Sequence, residues 1–249
     1  MKKFIIMLVC SVCFYSATVA QNSPELPLDT SMAYRNKLFS KGRIRLTLKG
    51  GFTVSDFYGK DLALLSNNAH TSVLQGFVIG IAADDKLGEY IGLKHELTFQ
   101  QVGSGIALQD SSHGHYNSTL KMYVLQVLPI APTFYYHNFQ FYTGPYISAL
   151  LSGAIQKKDT AGNYFWDSSI YGTPTENMQQ NKYLQKFDFG IVLGTEYQLN
   201  TALSLGIRYS RGFTPILDNA NVNTFGQAHS TINIYNQTWC FALNYHFSK

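Results

Sequence analysis

The sequence predicts an all-β protein, an eight-stranded antiparallel up-and-down transmembrane β-barrel with short periplasmic turns and long extracellular loops. Three observations predict this fold: apolar and polar residues alternate in eight segments, the connections between them alternate in length, and only 14% of the residues are charged. Alternation indicates strands, because a strand places successive side chains on opposite faces. Soluble domains contain roughly 25% charged residues, so the low charge favours a barrel whose outer face contacts lipid.

Each alternating segment is long enough to cross a bilayer when tilted, because about 9 to 11 residues suffice. The fourth and fifth segments are apolar on both faces and contain Pro129, Pro132 and Pro145. Each proline removes a ladder donor, so we expect bulges there and predict no register for these two strands. The predicted strands, in chain order, are residues 43–55, 73–83, 89–101, 122–136, 139–153, 187–200, 202–212 and 238–249.

The connections between these strands are alternately short and long. Short turns are predicted at residues 84–88, His137–Asn138 and Asn200–Thr201, and long connections at about 56–72, 103–120, 154–186 and 212–230. Outer-membrane barrels show this asymmetry, with the short turns on the periplasmic side.

The apolar face of each strand would be the core of a soluble barrel or the outer surface of a membrane barrel. The opposite face is rich in Gly, Ser and Thr, which suits the narrow interior of eight strands, so we expect the apolar face to contact lipid. The residues predicted to face lipid are Phe77, Ile79, Phe99, Phe189, Ile191, Leu205, Ile207, Trp239, Phe241 and Leu243. The aromatic residues predicted to lie at the membrane interfaces are Tyr197, Tyr209, Tyr245 and Phe247.

The inner face collects charged residues of both signs. A turn over residues 200–202 would place Arg208 opposite Gly194 and diagonal to Glu196, within reach of its long side chain. We therefore predict an internal salt-bridge network, which acts as a structural plug or lines a gated ion path. Its predicted members are Arg45, Lys49, Lys94, Glu96, Asp188, Glu196 and Arg208.

The first 20 residues have the organisation of a secretory signal peptide, with two lysines, an apolar run and small residues up to Ala20. Residues 21–41 lack periodicity and are predicted to form an extended leader, which leaves residues 42–249 for the barrel domain. Cys10 and Cys13 fall in the signal segment, so Cys240 remains as the single later cysteine and a disulfide framework is excluded. The net charge of +4 gives no indication of nucleic-acid binding, and no cofactor is predicted.

Three further groups of residues were considered as sites. His113 and His115 have a spacing that can hold a metal, but their polar surroundings favour a solvated loop, and we predict no metal site. His246 and Ser248 resemble the His-x-Ser of outer-membrane lipid A deacylases, but His246 has inward parity and Ser248 lies at the chain end, so no catalytic residues are predicted. The loop over 154–186 contains aromatic residues that either bind a partner or fold over the barrel mouth, namely Tyr164, Phe165, Trp166 and Tyr171.

Several short motifs carry a resemblance to a known family. They are "LKGGFTVSDF" (48–57), "GLKHELTFQQVGSG" (92–105), "LQVLPIAPTFYY" (125–136), "FYTGPYISALLSG" (141–153), "FDFGIVLGTEYQL" (187–199) and "LGIRYSRGFTPI" (205–216). Together they resemble the PorT-like outer-membrane β-barrel family over about residues 42–249. The resemblance implies an eight-stranded barrel without established catalytic residues, and some relatives belong to type IX secretion machinery. One departure is that Ser248 and Lys249 follow Phe247, whereas many such barrels end on an aromatic residue.

The predicted function is that of a non-enzymatic, integral outer-membrane barrel with a closed, charge-filled interior. It would anchor surface loops or act as a scaffold or component of a secretion complex, with outer-membrane lipid and other cell-envelope proteins as partners. Two alternatives stay open: a soluble periplasmic lipocalin-like barrel that binds an apolar ligand, and a lipid-modifying enzyme.

Overall fold

The computed structural model describes residues 44–110, 112–168, 184–218 and 232–247. The predicted signal peptide and leader, residues 1–41, lie outside the described residues, as do Tyr171 and Ser248. In the part of the chain that is described, no helix is long and apolar enough to cross a membrane.

Nine strands account for most of the described residues, with a single turn of helix α1 (Leu62–Leu65) and a 3-10 turn (Asn67–Ala69) between the first two. The strands are β1 (Ile44–Tyr58), β2 (Thr71–Lys86), β3 (Ile91–Asp110), β4 (Gly114–Tyr136), β5 (Phe139–Lys158), β6 (Tyr164–Asp167), β7 (Phe187–Gln198), β8 (Leu203–Gly212) and β9 (Tyr235–His246).

Eight of these strands close into a ring in which every pairing is antiparallel. The order is β4-β3-β2-β1-β9-β8-β7-β5, and β4 also pairs with β5, which closes the barrel. The short strand β6 pairs only with the end of β5, over Ile155 to Lys158. The predicted all-β, eight-stranded up-and-down barrel is therefore confirmed.

The connections differ between the two ends of the ring. One end, the turn end, has the short connections 87–90, 137–138 and 199–202, and the other, the loop end, has the connections after β1, β3, β5 and β8. At the turn between β7 and β8, the amide of Leu199 donates to the carbonyl of Leu203, so residues 200–202 form the turn. Gly194 then pairs with Arg208, as the sequence predicts.

The prediction of a long loop at 103–120 is wrong. The strands continue as a hairpin to Asp110 and from Gly114, and only residues 111–113 connect them. Inward-facing Ile106 and Leu120 are buried there, so an apolar interior keeps the alternation going beyond the predicted strand ends. The predicted loop 154–186 likewise begins as a hairpin, because β5 runs to Lys158 and β6 folds back on it.

The expected bulges occur around the prolines of β4. The β3–β4 register shifts between Lys94 and Glu96, and the β4–β5 register shifts between Val127 and Thr133. Pro129 and Pro132 lie within these shifted segments, where missing amide donors would otherwise interrupt the ladder.

The interior has two parts of different chemistry. Its turn-end half contains charged side chains, whereas its loop-end half is filled by an apolar cluster that the sequence analysis did not predict. Segments from the loop connections pack in this cluster with residues of the strands. The cluster consists of Phe57, Leu65, Val102, Ile106, Leu120, Met122, Val124, Ile155, Leu184, Ile216, Leu217, Ile232 and Ile234.

The apolar face of the strands points out of the barrel. Leu193 is 63% exposed and Ile81 57%, although both lie in the middle of regular strands. Among the residues predicted to face lipid, Phe99 and Phe241 are half-buried because they pack on other outward rings. Phe99 packs on Phe77 and Tyr123, and Phe241 packs on Phe52. The others are exposed: Phe77, Ile79, Phe189, Ile191, Leu205, Ile207, Trp239 and Leu243.

Candidate functional site

Charged residues from four strands meet inside the turn-end half of the barrel. Lys49 comes from β1, Glu96 from β3, Glu196 from β7 and Arg208 from β8. Each of these residues is at most 4% exposed. Strand parity explains their direction, because they lie on the strand face opposite the outward apolar residues, such as Leu48 beside Lys49 and Ile207 beside Arg208.

Glu96 is the acceptor for two cations. One carboxylate oxygen, Oε1, is paired with the ammonium of Lys49, and the other, Oε2, accepts from Nη1 of Arg208 at 2.7 Å. Arg208 also donates from Nη2 to Gln100 at 3.1 Å. These two bonds each use one of the five guanidinium N–H donors, whereas Nε of Arg208 is buried without a hydrogen-bond partner among the described residues.

Glu196 and Asp84 extend the network around Lys94. The Lys94 ammonium lies 2.7 Å from Oδ1 of Asp84 and 3.1 Å from Oε1 of Glu196. Lys49 approaches the same Glu196 oxygen at 3.7 Å. At the turn-end rim, Arg45 lies 3.3 Å from Asp84, with its side chain 31% exposed.

Tyr142 lies beside the two lysines. Its ring centroid is 5.1 Å from the Lys94 nitrogen and 5.9 Å from the Lys49 nitrogen, a cation–π arrangement. The ring lies against Gly194, where an added Cβ would come within 2.3 Å of it. Tyr146 packs in the same way on Gly190, where a Cβ would lie 2.5 Å from its ring. Glycines in β7 therefore make the space that these two inward rings occupy.

The structure brings together six of the seven residues predicted for the network and leaves Asp188 apart. Asp188 accepts instead from the Tyr146 hydroxyl at 2.7 Å, nearer the loop end. Other participants were missed, among them Asp84, Gln100, Tyr142 and Gln140, which donates to Oδ1 of Asp84 at 3.0 Å. The sequence had a signal for Asp84, because it continues the inward parity of Gly80 and Ala82, but the residue was assigned to a turn.

The network has an uneven charge balance. Its cations are Arg45, Lys49, Lys94 and Arg208 and its anions are Asp84, Glu96 and Glu196, so four positive and three negative charges give a net charge of +1. The bonds from β3 to β7 and from β3 to β8 join strands that are not neighbours in the ring. The side chains therefore span the lumen.

His246 lies inside the barrel and is 1% exposed. Its Nδ1 is 2.8 Å from the Thr47 hydroxyl and its Nε2 is 3.0 Å from the Ser204 hydroxyl. Both ring nitrogens are thus engaged by interior hydroxyl groups, and the ring has no access to the outer face. This position differs from the lipid-facing histidine that a deacylase site requires.

The predicted interfacial aromatics lie at both ends of the outward apolar face. Tyr197, Tyr245 and Phe247 are near the turn end, where Tyr245 and Phe247 pack edge to face with centroids 5.2 Å apart. Tyr209 is nearer the loop end, with its ring centroid 4.9 Å from that of Trp239. Two aromatic belts with an apolar band between them are typical of membrane barrels.

A second candidate site, the aromatic hairpin surface, is formed at the loop end by Tyr116, Lys121, Lys158, Tyr164 and Trp166, and Phe165 lies on the opposite face of the same strand. The Lys121 nitrogen lies 4.2 Å from the centroid of the Trp166 ring, and the Lys158 nitrogen lies 5.0 Å from that of Tyr164. Tyr164, Phe165 and Trp166 are all exposed. These three rings are therefore not enclosed in the barrel interior.

The β5–β6 hairpin that presents this surface is held by polar contacts. Asp167 pairs with Lys157 at 2.6 Å. In the turn, Oδ1 of Asp159 accepts from the amides of Ala161 and Asn163, each at 2.9 Å. The backbone hydrogen bond from Asn163 lowers the pKa of the Asp159 carboxyl below its ordinary value.

The two loop histidines, His113 and His115, contact different partners and do not face a common site. His115 Nδ1 lies 2.6 Å from Nδ2 of Asn67, and His113 packs edge to face on Tyr116. Among the described residues, no group of three or more His, Cys, Asp or Glu side chains is arranged to hold a metal ion.

A family model described as outer membrane protein beta-barrel domain matches residues 19–218. The chain belongs to this family. It is therefore an integral outer-membrane β-barrel protein, which implies a lipid environment for the barrel. The comparison with curated proteins gives no match.

Several solved outer-membrane proteins are similar to this barrel. Neisserial surface protein A (NspA) is 11% identical with a TM-score of 0.46, over 81% of this chain and 97% of that one. OprG from Pseudomonas aeruginosa is 12% identical with a TM-score of 0.41, over 84% and 98%. Ail, the attachment invasion locus protein of Yersinia pestis, is 9% identical with a TM-score of 0.40, over 82% and 99%.

Proposed function

We propose that the protein is a closed, non-enzymatic barrel that anchors a binding surface for other cell-envelope proteins. The observation that supports this most is the aromatic hairpin surface, in which exposed rings are fixed on a paired strand. Aromatic residues are enriched in the cores of protein interfaces, and a rigid ring loses little conformational entropy when it is buried by a partner. Tyr164, Phe165 and Trp166 are about half exposed, at 50%, 44% and 47%.

The interior chemistry supports a structural barrel over a channel. Four cations and three anions pair across the lumen, and the apolar cluster fills the loop-end half. A hydrated path for ions would have to break buried ion pairs, which is costly because each partner would be left unpaired.

A secretion complex is one candidate assembly for this surface. The resemblance of the strand motifs to PorT-like barrels, some of which belong to type IX machinery, supports a scaffold role there. In that role the barrel would hold a partner at the membrane, and the hairpin would provide the contact.

The two other functions considered from the sequence have less support. A lipocalin-like barrel needs an apolar interior for its ligand, whereas Lys49, Lys94 and Glu96 fill the turn-end half here. A lipid-modifying enzyme needs catalytic groups open to lipid, whereas His246 is enclosed.

The proposal includes a location for each segment. Residues 1–20 act as a signal peptide, residues 21–41 as a leader and residues 42–249 as the barrel domain. The turn end faces the periplasm and the loop end faces the exterior, in line with the general asymmetry of outer-membrane barrels.

Photo-crosslinking in the native membrane tests the proposal. A photoreactive amino acid at Trp166 should give a discrete crosslinked band, whereas the same group at Tyr136, which is exposed at the turn end, should not give that band. Tyr164→Ser, on the same face of the strand as Trp166, should weaken the Trp166 crosslink without changing barrel assembly. Crosslinks that are equal at both positions, or absent at Trp166, would contradict the proposal.

Conductance in planar bilayers tests the closed interior separately. The purified barrel should give no stable unitary current. Regular openings of the unmodified protein would contradict a closed plug and favour the gated ion path.

A further inference from the structure

A cleft lies inside the barrel between the ion network and the loop-end segments 185–186 and 214–216. The cleft is partly open to solvent. Gln100 and Gln126 lie at its inner end, where they are hydrogen-bonded to each other at 3.1 Å. Its walls are both polar and apolar, as in sites for small amphipathic molecules.

Asp188 lines this cleft and differs from the other inward carboxylates. Asp84, Glu96 and Glu196 are each ion-paired, but in the described part of the chain Asp188 has no ion-pair partner. The donors that reach it are neutral: the Tyr146 hydroxyl at 2.7 Å and the Thr214 amide at 3.4 Å. A partly enclosed carboxylate without a counter-charge is less stable than one that has gained a cation.

The local structure holds this carboxylate in one place. A Cβ added to Gly212 would lie only 2.8 to 3.1 Å from the Asp188 carboxylate, so the bare glycine leaves the space that it occupies. Tyr146, its main donor, is fixed in turn on Gly190. Two glycines and a tyrosine thus position this carboxylate at the cleft, which Lys186 also lines.

A second acceptor lines the same cleft. Asn236 donates from Nδ2 to the Thr238 hydroxyl at 3.1 Å, and its Oδ1 is buried with no hydrogen-bond partner. Whichever way this amide is turned, one of its two polar atoms lacks a partner. Because Arg211 pairs with Gln237, Gly212 lies beside Asn236, and the Asp188 carboxylate and Asn236 flank this glycine on the inner face.

We propose that this cleft binds a small organic ammonium ion. Its N–H groups would donate to the Asp188 carboxylate and the Asn236 amide oxygen, which supplies both the missing charge and the missing donor. A short apolar part of the ligand would pack on Met122, Val124 and Ile216, which also line the cleft. The guanidinium of Arg208 does not repel the bound ammonium ion, because it is already paired with Glu96 and hydrogen-bonded to Gln100.

Binding of n-butylammonium to the full barrel tests the site, by NMR titration in an uncharged maltoside detergent. Asp188→Asn should weaken binding by roughly tenfold or more, because a hydrogen bond to a charged group is replaced by a neutral one. Asp159→Asn is the matched control, since it removes an exposed carboxylate at the same end but keeps the oxygen that caps its turn. That control should bind as the unmodified barrel does.

Binding of different ligands to the unmodified barrel distinguishes between classes of ligand. Butylammonium should bind, whereas n-butanol and butyrate should bind at least roughly tenfold more weakly, because they lack the positive charge. If Asp188→Asn does not fold, Asn236→Ala replaces it and should weaken binding several-fold. Equal binding of butyrate, which would implicate Lys186 instead, or unchanged binding in both variants would overturn the proposal. The outcome is independent of the partner surface on the hairpin.

Discussion

Arg208 of β8 reaches across the barrel and donates to Glu96 of β3 over 2.7 Å. The two strands are not neighbours in the ring, so this ion pair joins opposite walls of the lumen. Lys49 of β1 holds the other oxygen of the same carboxylate. The barrel is thus held from inside as well as by the ladders between adjacent strands.

Removing Arg208 should destabilise the barrel. Arg208→Ala leaves Glu96 with a single cation and leaves Gln100 without its donor, in a site where neither can reach bulk water. We expect a loss of roughly 3 to 5 kcal/mol in the free energy of unfolding, the range found when one partner of a buried pair is removed. Urea unfolding in detergent or vesicles, followed by tryptophan fluorescence, measures it.

Lys60→Ala is the control for that measurement. Lys60 is exposed in the connection after β1, and its replacement should leave the unfolding midpoint unchanged. A midpoint for Arg208→Ala that coincides with the control would mean that the network does not stabilise the fold.

Lys94 and Glu196 should be energetically coupled. Lys94→Met removes the nearer cation from both Asp84 and Glu196, and Glu196→Gln removes one of the two anions that Lys94 contacts. The double variant should be more stable than the sum of the single losses predicts, by a coupling energy on the order of 1 to 3 kcal/mol. A double-mutant cycle measures this coupling, and strict additivity of the two losses would show that the pair does not interact.

Gly194→Ala should destabilise the barrel by overpacking. The new Cβ would meet the Tyr142 ring at 2.3 Å, and the ring has little room to move because it also packs beside Lys49 and Lys94. We expect a cost of about 1 to 3 kcal/mol in the free energy of unfolding.

Gly50→Ala provides a matched comparison for Gly194→Ala. Nothing lies within 4 Å of a Cβ at Gly50, so its replacement should be neutral or slightly stabilising. Adding Tyr142→Leu to Gly194→Ala should recover part of the loss. If the two alanine variants unfold alike, the ring does not depend on the glycine.

Strand parity was sufficient to predict the fold and the two faces of the wall. It placed Lys94 and Glu96 inside and Phe189 and Leu205 outside, because the side-chain period of a strand is two whatever its partners are. The β7–β8 register was also predictable, since an odd turn is the one that keeps both apolar faces outward.

Parity does not report where along the barrel axis a side chain lies or what it meets across the lumen. Asp188 and Glu196 have the same parity, yet Asp188 lies nearer the loop end, where its main partner is Tyr146 from β5. The loop-end apolar cluster was missed for a related reason. Leu184, Ile216 and Ile234 lie between the regular strands, where no periodicity marks them as buried.

The lipid-facing band leads to the last prediction. Ile207 is 43% exposed near the middle of the outward face of β8, between Leu205 and Tyr209. Ile207→Arg should cost about 2 to 4 kcal/mol of folding free energy in vesicles, because a guanidinium there must enter the hydrocarbon. Leu87→Arg, at an equally exposed position in a turn, should cost at most about 1 kcal/mol, since the charge reaches water. Refolding titrations in lipid vesicles compare the two variants. An arginine that is equally tolerated at both positions would mean that water, and not lipid, surrounds this wall.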